Sequence, residues 1–209
     1  MTDLDVLWRA ARKLGSRRRS RKALPPLLFF TDPIRTPFPE QVLARLPRGS
    51  GIVFRAFGAS DAVAKARRLA ALARRRGVTF FVGADVGLAI AARADGVHLP
   101  ERLAHRPGRN RRLGQRFVLT AAAHGLAAAR LARRSGVEAI VLSPVFPSTS
   151  PSAGRPLGAR RFAALVRALG APCYALGGVN GRTIRSLSDS GAVGVAAVGA
   201  LAGATAGRG

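Results

Sequence analysis

The sequence predicts an α/β protein, a single (β/α)8 TIM barrel with a basic N-terminal extension. Three observations predict it. Short apolar runs recur along the chain, each followed by a turn and a helical or loop segment, eight times between Leu27 and Val198. No break in that alternation marks the crossover of a doubly wound open sheet, the main competing architecture. Two of the late runs, one ending at Leu142 and one at Leu176, lead into loops of distinctive chemistry. Such folds place ligands in the loops at the carboxyl ends of parallel strands. At 209 residues the chain suits one domain with a proper core. It divides into a basic extension (1–24), the barrel (25–203) and a Gly-rich tail (204–209).

Residues 3–14 read as a short amphipathic helix, with Asp3 and Asp5 suited to its positive amino end. A basic linker follows, and the whole segment is expected to be a mobile appendage or a lid against the barrel's bottom. The first strand, 27–30, ends at Thr31-Asp32-Pro33, and a helix over 39–46 follows. The second strand, 52–54, ends at Arg55. A helix over 60–76 has Ser60 as its cap and Gly77 as its stop. Its stripe of Ala62, Ala66, Leu69, Ala70 and Ala73 lies opposite Lys65, Arg67, Arg68 and Arg74. The third strand, 79–82, carries Gly83-Ala84-Asp85 at its tip, before a helix over 86–93. The fourth, 96–99, opens into a basic loop over 102–116.

The fifth strand is 117–121, and His124 begins a helix to Arg134. The sixth, 137–142, runs into a loop that alternates proline with hydroxyls through Ser148, Ser150 and Ser152, then a helix over 158–169. Proline pre-sets a loop's shape, and the hydroxyls supply donors and acceptors. The seventh strand, 173–176, ends in Gly177-Gly178, with a helix over 181–190, and the eighth is 193–198.

The formal net charge is +25, and the only lysines are Lys13, Lys22 and Lys65. Arginine is concentrated in residues 17–22 and 102–116. Neither cluster interleaves with an aromatic platform, and no helix-turn-helix or zinc pattern is present. The clusters therefore read as solvated charge, and nucleic acid is not an expected partner. An anion- or nucleic-acid-binding protein built on a retired barrel is the reading of another class. No apolar run reaches the roughly 18 to 20 residues of a membrane span. Arg9, Arg12 and Lys13 break the only candidate for a secretory signal. The lone Cys173 falls in an expected buried strand, which fits a reducing cytoplasm.

The expected strand ends collect Asp32, Arg55, Asp85, Glu101, His124, Ser143, Ser148, Ser150, Gly178 and Gly199 on one rim. Barrels often bind phosphate after the seventh and eighth strands. Gly177-Gly178 allows close approach of a backbone to an anion, and a helix starting near Asn180 would aim its amides the same way. Gly199 adds a further amide. His98 within a strand and Cys173 read as structural, and His105 as solvated. His124 is a candidate acid/base group at neutral pH, against the plainer role of a helix-start histidine bonding backbone.

These residues resemble a known family. Thr31-Asp32, Phe54-Arg55, Asp85 before a helix, residues 94–99 (ADGVHL), residues 144–150 (PVFPSTS) and residues 175–179 (ALGGV) are together similar to thiamine phosphate synthase. The resemblance extends to its sister branch, the thiazole tautomerases. The resemblance covers about 27–202 and implies a (β/α)8 barrel. It implies an enzyme of thiamine biosynthesis, a transferase that joins hydroxymethylpyrimidine diphosphate to thiazole phosphate with magnesium (Mg2+), releasing pyrophosphate. The rival it implies is a thiazole tautomerase or a non-catalytic thiazole-phosphate binder.

Carried over residue by residue, the thiazole-phosphate side is Ser148, Ser150, Gly177, Gly178 and Gly199, with serines for the family's threonines and a glycine for its serine. Arg55 survives from the diphosphate side, but Val53 and Phe57 replace its Gln and Lys. Gly83-Ala84 replace an Asn-Asp pair, Leu103 a carboxylate and Pro151 a lysine. That leaves Asp85 and Glu101 as the expected metal groups. Arg55 and His124 are the expected catalytic residues, the latter because the tautomerase branch uses a histidine at this motif. Holding a departing diphosphate needs cations and metal, so the diphosphate and magnesium site reads as degraded.

Overall fold

The structure, a computed structural model, describes residues 2–15, 24–148 and 154–198. Eight parallel strands close on themselves in sequence order: β1 (Leu27–Phe30), β2 (Gly51–Phe54), β3 (Thr79–Gly83), β4 (Gly96–Leu99), β5 (Val118–Ala123), β6 (Ala139–Leu142), β7 (Cys173–Ala175) and β8 (Gly194–Ala197). Closure is made by β1 against β8, with Leu28 opposite Ala196 and Phe29 opposite Ala197. The outer layer holds α1 (Asp3–Gly15), α2 (Pro39–Leu43), α3 (Ala62–Arg76), α4 (Val86–Ala91), α5 (Glu101–Ala104), α6 (Pro107–Arg116), α7 (Leu126–Arg134) and α8 (Gly158–Leu169). A 3-10 turn, Thr183–Leu187, stands between β7 and β8. No helix among the described residues is long and apolar enough to cross a membrane.

The strands read as continuous apolar runs because both of their faces are buried. Alternation survives within them. Leu28, Phe30, Val53, Phe81, Val141, Tyr174 and Ala196 form one apolar cluster, while Leu27, Phe29, Ile52, Phe80 and Val82 belong to another that includes the helices. The first cluster fills the barrel's interior and the second joins barrel to helices. Gly96 makes room for the Phe81 ring, which a Cβ there would strike. Tyr174 donates its hydroxyl to the Pro25 carbonyl at 2.7 Å, and burial pushes that phenol above its ordinary pKa.

Four expectations change. Residues 3–15 are no appendage or bottom lid: Leu7, Ala11 and Leu14 are buried in the outer core, and α1 packs against β1, β8 and the 3-10 turn. An apolar stripe of that width needs a partner, and the barrel wall supplies it. The basic loop is largely helical, as α5 and α6. Its inward anchor is polar. Buried Asn110 donates to the Ala104 carbonyl at 2.9 Å and to Ser135 Oγ at 3.1 Å, so no apolar stripe advertised the helix. The helix expected over 181–190 is only the five-residue 3-10 turn. Asp61, not Ser60, precedes α3 as its N-cap residue, without a side-chain bond. Gly77 ends that helix as expected, in the left-handed region at φ +64°.

Candidate functional site

The strand order places the ends of β1 to β8 on one rim, and neighbouring loops bond to one another there. After β1, Asp32 closes its own loop: Oδ1 accepts from the Ile34 and Arg35 amides at 3.1 and 3.0 Å. After β2, Arg55 folds back onto that loop. Its Nε donates to the Thr31 carbonyl at 2.6 Å, its amide to Thr31 Oγ1 at 2.9 Å, and its Nη2 lies 3.4 Å from Asp32 Oδ2. The guanidinium is also flanked by rings, 5.8 Å from Phe30 and 5.0 Å from Phe57. Burial lowers the Arg55 pKa, opposed by Asp32. Burial raises that of Asp32, but the Arg35 and Ile34 amides and the Arg55 charge win, holding the carboxyl below its usual range. The arginine expected to face a diphosphate is therefore already engaged with its own loop.

His98 stands beside this group, edge-on to Phe30 at 4.8 Å and 2.9 Å from Thr120 Oγ1 through Nδ1. Burial, with help from the Arg55 charge, pushes its pKa down to about 3. It is a neutral structural histidine, as its place in a strand suggested. Cys173 is likewise buried, and His105 is exposed at the end of α5.

Two residues assigned to different roles come together. Glu101, at the start of α5, accepts through Oε2 from the His124 amide and pairs with His124 Nδ1, both at 2.8 Å. A carboxylate only accepts, so Nδ1 is the donor in this pair, and in the neutral tautomer it selects Nε2 carries the lone pair. Both side chains are partly exposed, 52% for His124 and 41% for Glu101. His124 itself stands two residues before α7 and not within it.

Asp85 caps α4: its Oδ1 accepts from the Leu88 amide at 2.9 Å. Ala84 beside it holds φ +64°, a conformation that suits Gly, Asn or Asp and costs alanine about 1 kcal/mol. Leu103 packs on the outer core. No group of three or more His, Cys, Asp or Glu able to hold a metal exists among the described residues. With Asp85 given to a helix and Glu101 to His124, these residues do not fit a magnesium site held by the protein alone.

The two loops that stood out in the sequence are joined. The Val145 amide donates to the Leu176 carbonyl at 2.8 Å and the Phe146 amide to the Gly177 carbonyl at 2.9 Å. Gly177 and Gly178 have φ +92° and +63°, and their amides donate to no acceptor among the described residues. The amides from Asn180 onward are taken, that of Asn180 by Thr183 Oγ1 at 3.0 Å. Gly181 donates to Asp3 Oδ1 at 3.2 Å, and Arg182 and Thr183 donate to Asn180 Oδ1 at 2.9 and 3.0 Å. The expected contribution from a helix near Asn180 is thus absent, because its amides serve an Asx turn. Ser148 is partly buried in the joined loop. Ser150 and Gly199 lie outside the described residues. Sequence reasoning named Thr31 at a strand end and Asp3 in the first helix but missed their contacts: Thr31 is the partner of Arg55, and Asp3 reaches the seventh loop. Neither carries a local signal for a contact so distant in sequence.

A closed parallel barrel with its polar side chains gathered at the strand ends is the enzyme-type arrangement of this fold. A family model described as thiamine monophosphate synthase matches residues 27–201, and the chain belongs to that family. It is 31% identical over 133 residues to a putative thiamine-phosphate synthase 2 of Aquifex aeolicus, covering 64% of this chain and 71% of that one. It is 34% identical over 137 residues to a putative thiamine-phosphate synthase of Geobacter sulfurreducens, covering 65% and 64%. The thiamine phosphate pyrophosphorylase of Pyrococcus furiosus superposes with a TM-score of 0.76 at 25% identity, covering 93% of this chain and 90% of that one.

Proposed function

We propose that the barrel binds a thiazole phosphate and moves a proton on it, the isomerisation of the tautomerase branch of thiamine biosynthesis. The observation that carries this reading is the Glu101–His124 pair. Glu101 fixes the ring and its tautomer, and Nε2 takes a proton from one carbon of a thiazole carboxylate phosphate. The imidazolium so formed, stabilised by Glu101, returns a proton to another carbon of the same molecule. Atoms and charge balance within the substrate, and no metal is needed. The phosphate would sit against the Gly177 and Gly178 amides, with Ser148 in the adjoining loop.

A second reading is the synthase transfer, joining hydroxymethylpyrimidine diphosphate to thiazole phosphate. It is favoured by the relatives, whose names are thiamine-phosphate synthases. Arg55 would then face the diphosphate, but it must first leave Asp32.

The two readings part in one experiment. The purified protein is given the thiazole carboxylate phosphate alone, then thiazole phosphate with the pyrimidine diphosphate and excess magnesium. Isomerisation in the first arm that His124→Ala abolishes supports the tautomerase. Thiamine phosphate in the second arm, with no isomerisation in the first, replaces it by the synthase.

A further inference from the structure

The helices of this barrel run against its strands, so helix ends and strand starts share the face opposite the site. That face is ringed with arginine. Exposed Arg45 and Arg48 precede β2, Arg74, Arg75 and Arg76 precede β3, and Arg93 precedes β4. Arg116, Arg133, Arg134 and Arg167 continue the ring before β5, β6 and β7. The acidic groups of this face are largely turned to the backbone: Asp95 Oδ2 accepts the Phe80 amide at 2.8 Å and Glu138 Oε2 the Leu119 amide at 2.7 Å.

Between α3 and α4 the surface is concave. A groove of about 300 Å3 is walled by Arg67, Arg74 and Arg93 over a floor of alanines. Arg67 Nε donates to the Ala91 carbonyl at 3.1 Å, which braces one wall and leaves the rest of its guanidinium to the groove. Arg93 holds φ +51° where α4 ends.

We propose that this face docks the phosphate backbone of a nucleic acid, without regard to sequence, and that the Arg67–Arg74–Arg93 groove seats part of one strand. Guanidinium groups match phosphate bidentately, and like charges crowded on one face are relieved by a polyanion. A membrane is the poorer partner. Interfacial binding wants a continuous apolar surface beside the cations; here Ile90 on α4 and Leu131 on α7 stand singly near the ring, while the more exposed Ile34, Phe38 and Phe57 follow β1 and β2, on the opposite rim. The groove also suits a strand better than a plane.

The test is fluorescence anisotropy of the full chain with a labelled oligothymidylate of about 20 nucleotides, in rising salt. Neutralising four phosphates of a single strand gives a log–log salt slope near −3, or about 50-fold weaker binding between about 50 and 200 mM salt. The triple variant Arg67→Gln, Arg74→Gln, Arg93→Gln should lose at least about tenfold in affinity at the lower salt. The control variant Arg155→Gln, Arg160→Gln, Arg161→Gln removes equal charge near the start of α8, on the opposite rim, and should lose less than about threefold. If the first variant fails to fold, Arg74→Gln and Arg93→Gln taken singly carry the same comparison. No binding at about 50 mM salt, equal losses in groove and control variants, or binding to phosphatidylserine vesicles without binding to the oligonucleotide would each overturn the proposal.

Discussion

Glu101 holds His124 at two points with one oxygen, accepting the backbone amide and pairing with Nδ1, each at 2.8 Å. The ring can neither swing away nor exchange tautomers without losing that carboxylate. This is the geometry a general base requires, built from residues on the loops after β4 and β5. His124→Ala should lower isomerisation by about 10²- to 10⁴-fold. Glu101→Gln keeps the shape and loses the charge, with an expected loss of about 10- to 100-fold. Steady-state rates of the two variants check this. A Glu101→Gln enzyme as active as the parent would remove the pair from the mechanism.

Gly178 is a packing residue before it is a binding one. A side chain there would meet the Pro147 carbonyl and, at 2.7 Å, Phe146 Cβ, in a left-handed conformation. Gly178→Ala should therefore lower the melting temperature, by at least about 2 kcal/mol in stability, with or without ligand. Lost binding in that variant says nothing about phosphate. The informative measurement is the amide shift of Gly177 and Gly178 on adding thiazole phosphate, compared with the dephosphorylated thiazole alcohol. Equal shifts for both ligands would move the phosphate elsewhere.

Ala84 carries the backbone of a residue it is not. Ala84→Gly should raise stability by about 1 kcal/mol, read from denaturant midpoints at unchanged slope. Ala84→Asp tolerates the same φ and adds a carboxylate beside Asp85. In a weakened synthase it should raise magnesium-dependent formation of thiamine phosphate, and in a tautomerase it should leave isomerisation unchanged. Leu103→Asp is the poorer probe, because Leu103 packs on the core.

His98 makes the barrel acid-sensitive. Its folded pKa of about 3 lies below the ordinary histidine value of 6.5, so the unfolded chain takes the proton first. Its contribution is whole above pH 6.5 and shrinks as pH falls toward 3. The expected loss at pH 5 is about 2 kcal/mol. His98→Gln should flatten the stability curve between about pH 6.5 and pH 4, an outcome that thermal melts across that range decide. An equally steep acid loss in His98→Gln would assign the sensitivity to carboxylates such as Asp32.

The barrel was legible because its strands are short, apolar on both faces and bounded by turn residues, signals local to four or five positions. Gly77 and the alanine stripe of α3 were readable for the same reason. Residues 102–116 were not, since α6 faces inward with Asn110, a polar anchor whose partners Ala104 and Ser135 lie on neighbouring elements. The amphipathic first helix was visible, but its partner was not, because β8 lies at the far end of the sequence.

At the rim, sequence alone determined which residues stand at the strand ends, since strand boundaries dictate that. Tertiary structure decided what each one holds. Arg55 turns to Thr31 and Asp32, Glu101 to His124, and Asp3 to Gly181, over separations of 24, 23, 23 and 178 residues respectively. Barrel closure sets the register that brings such loops side by side, and a hydrogen bond acts over about 3 Å. No pattern along the chain encodes a contact that exists only once the sheet is closed.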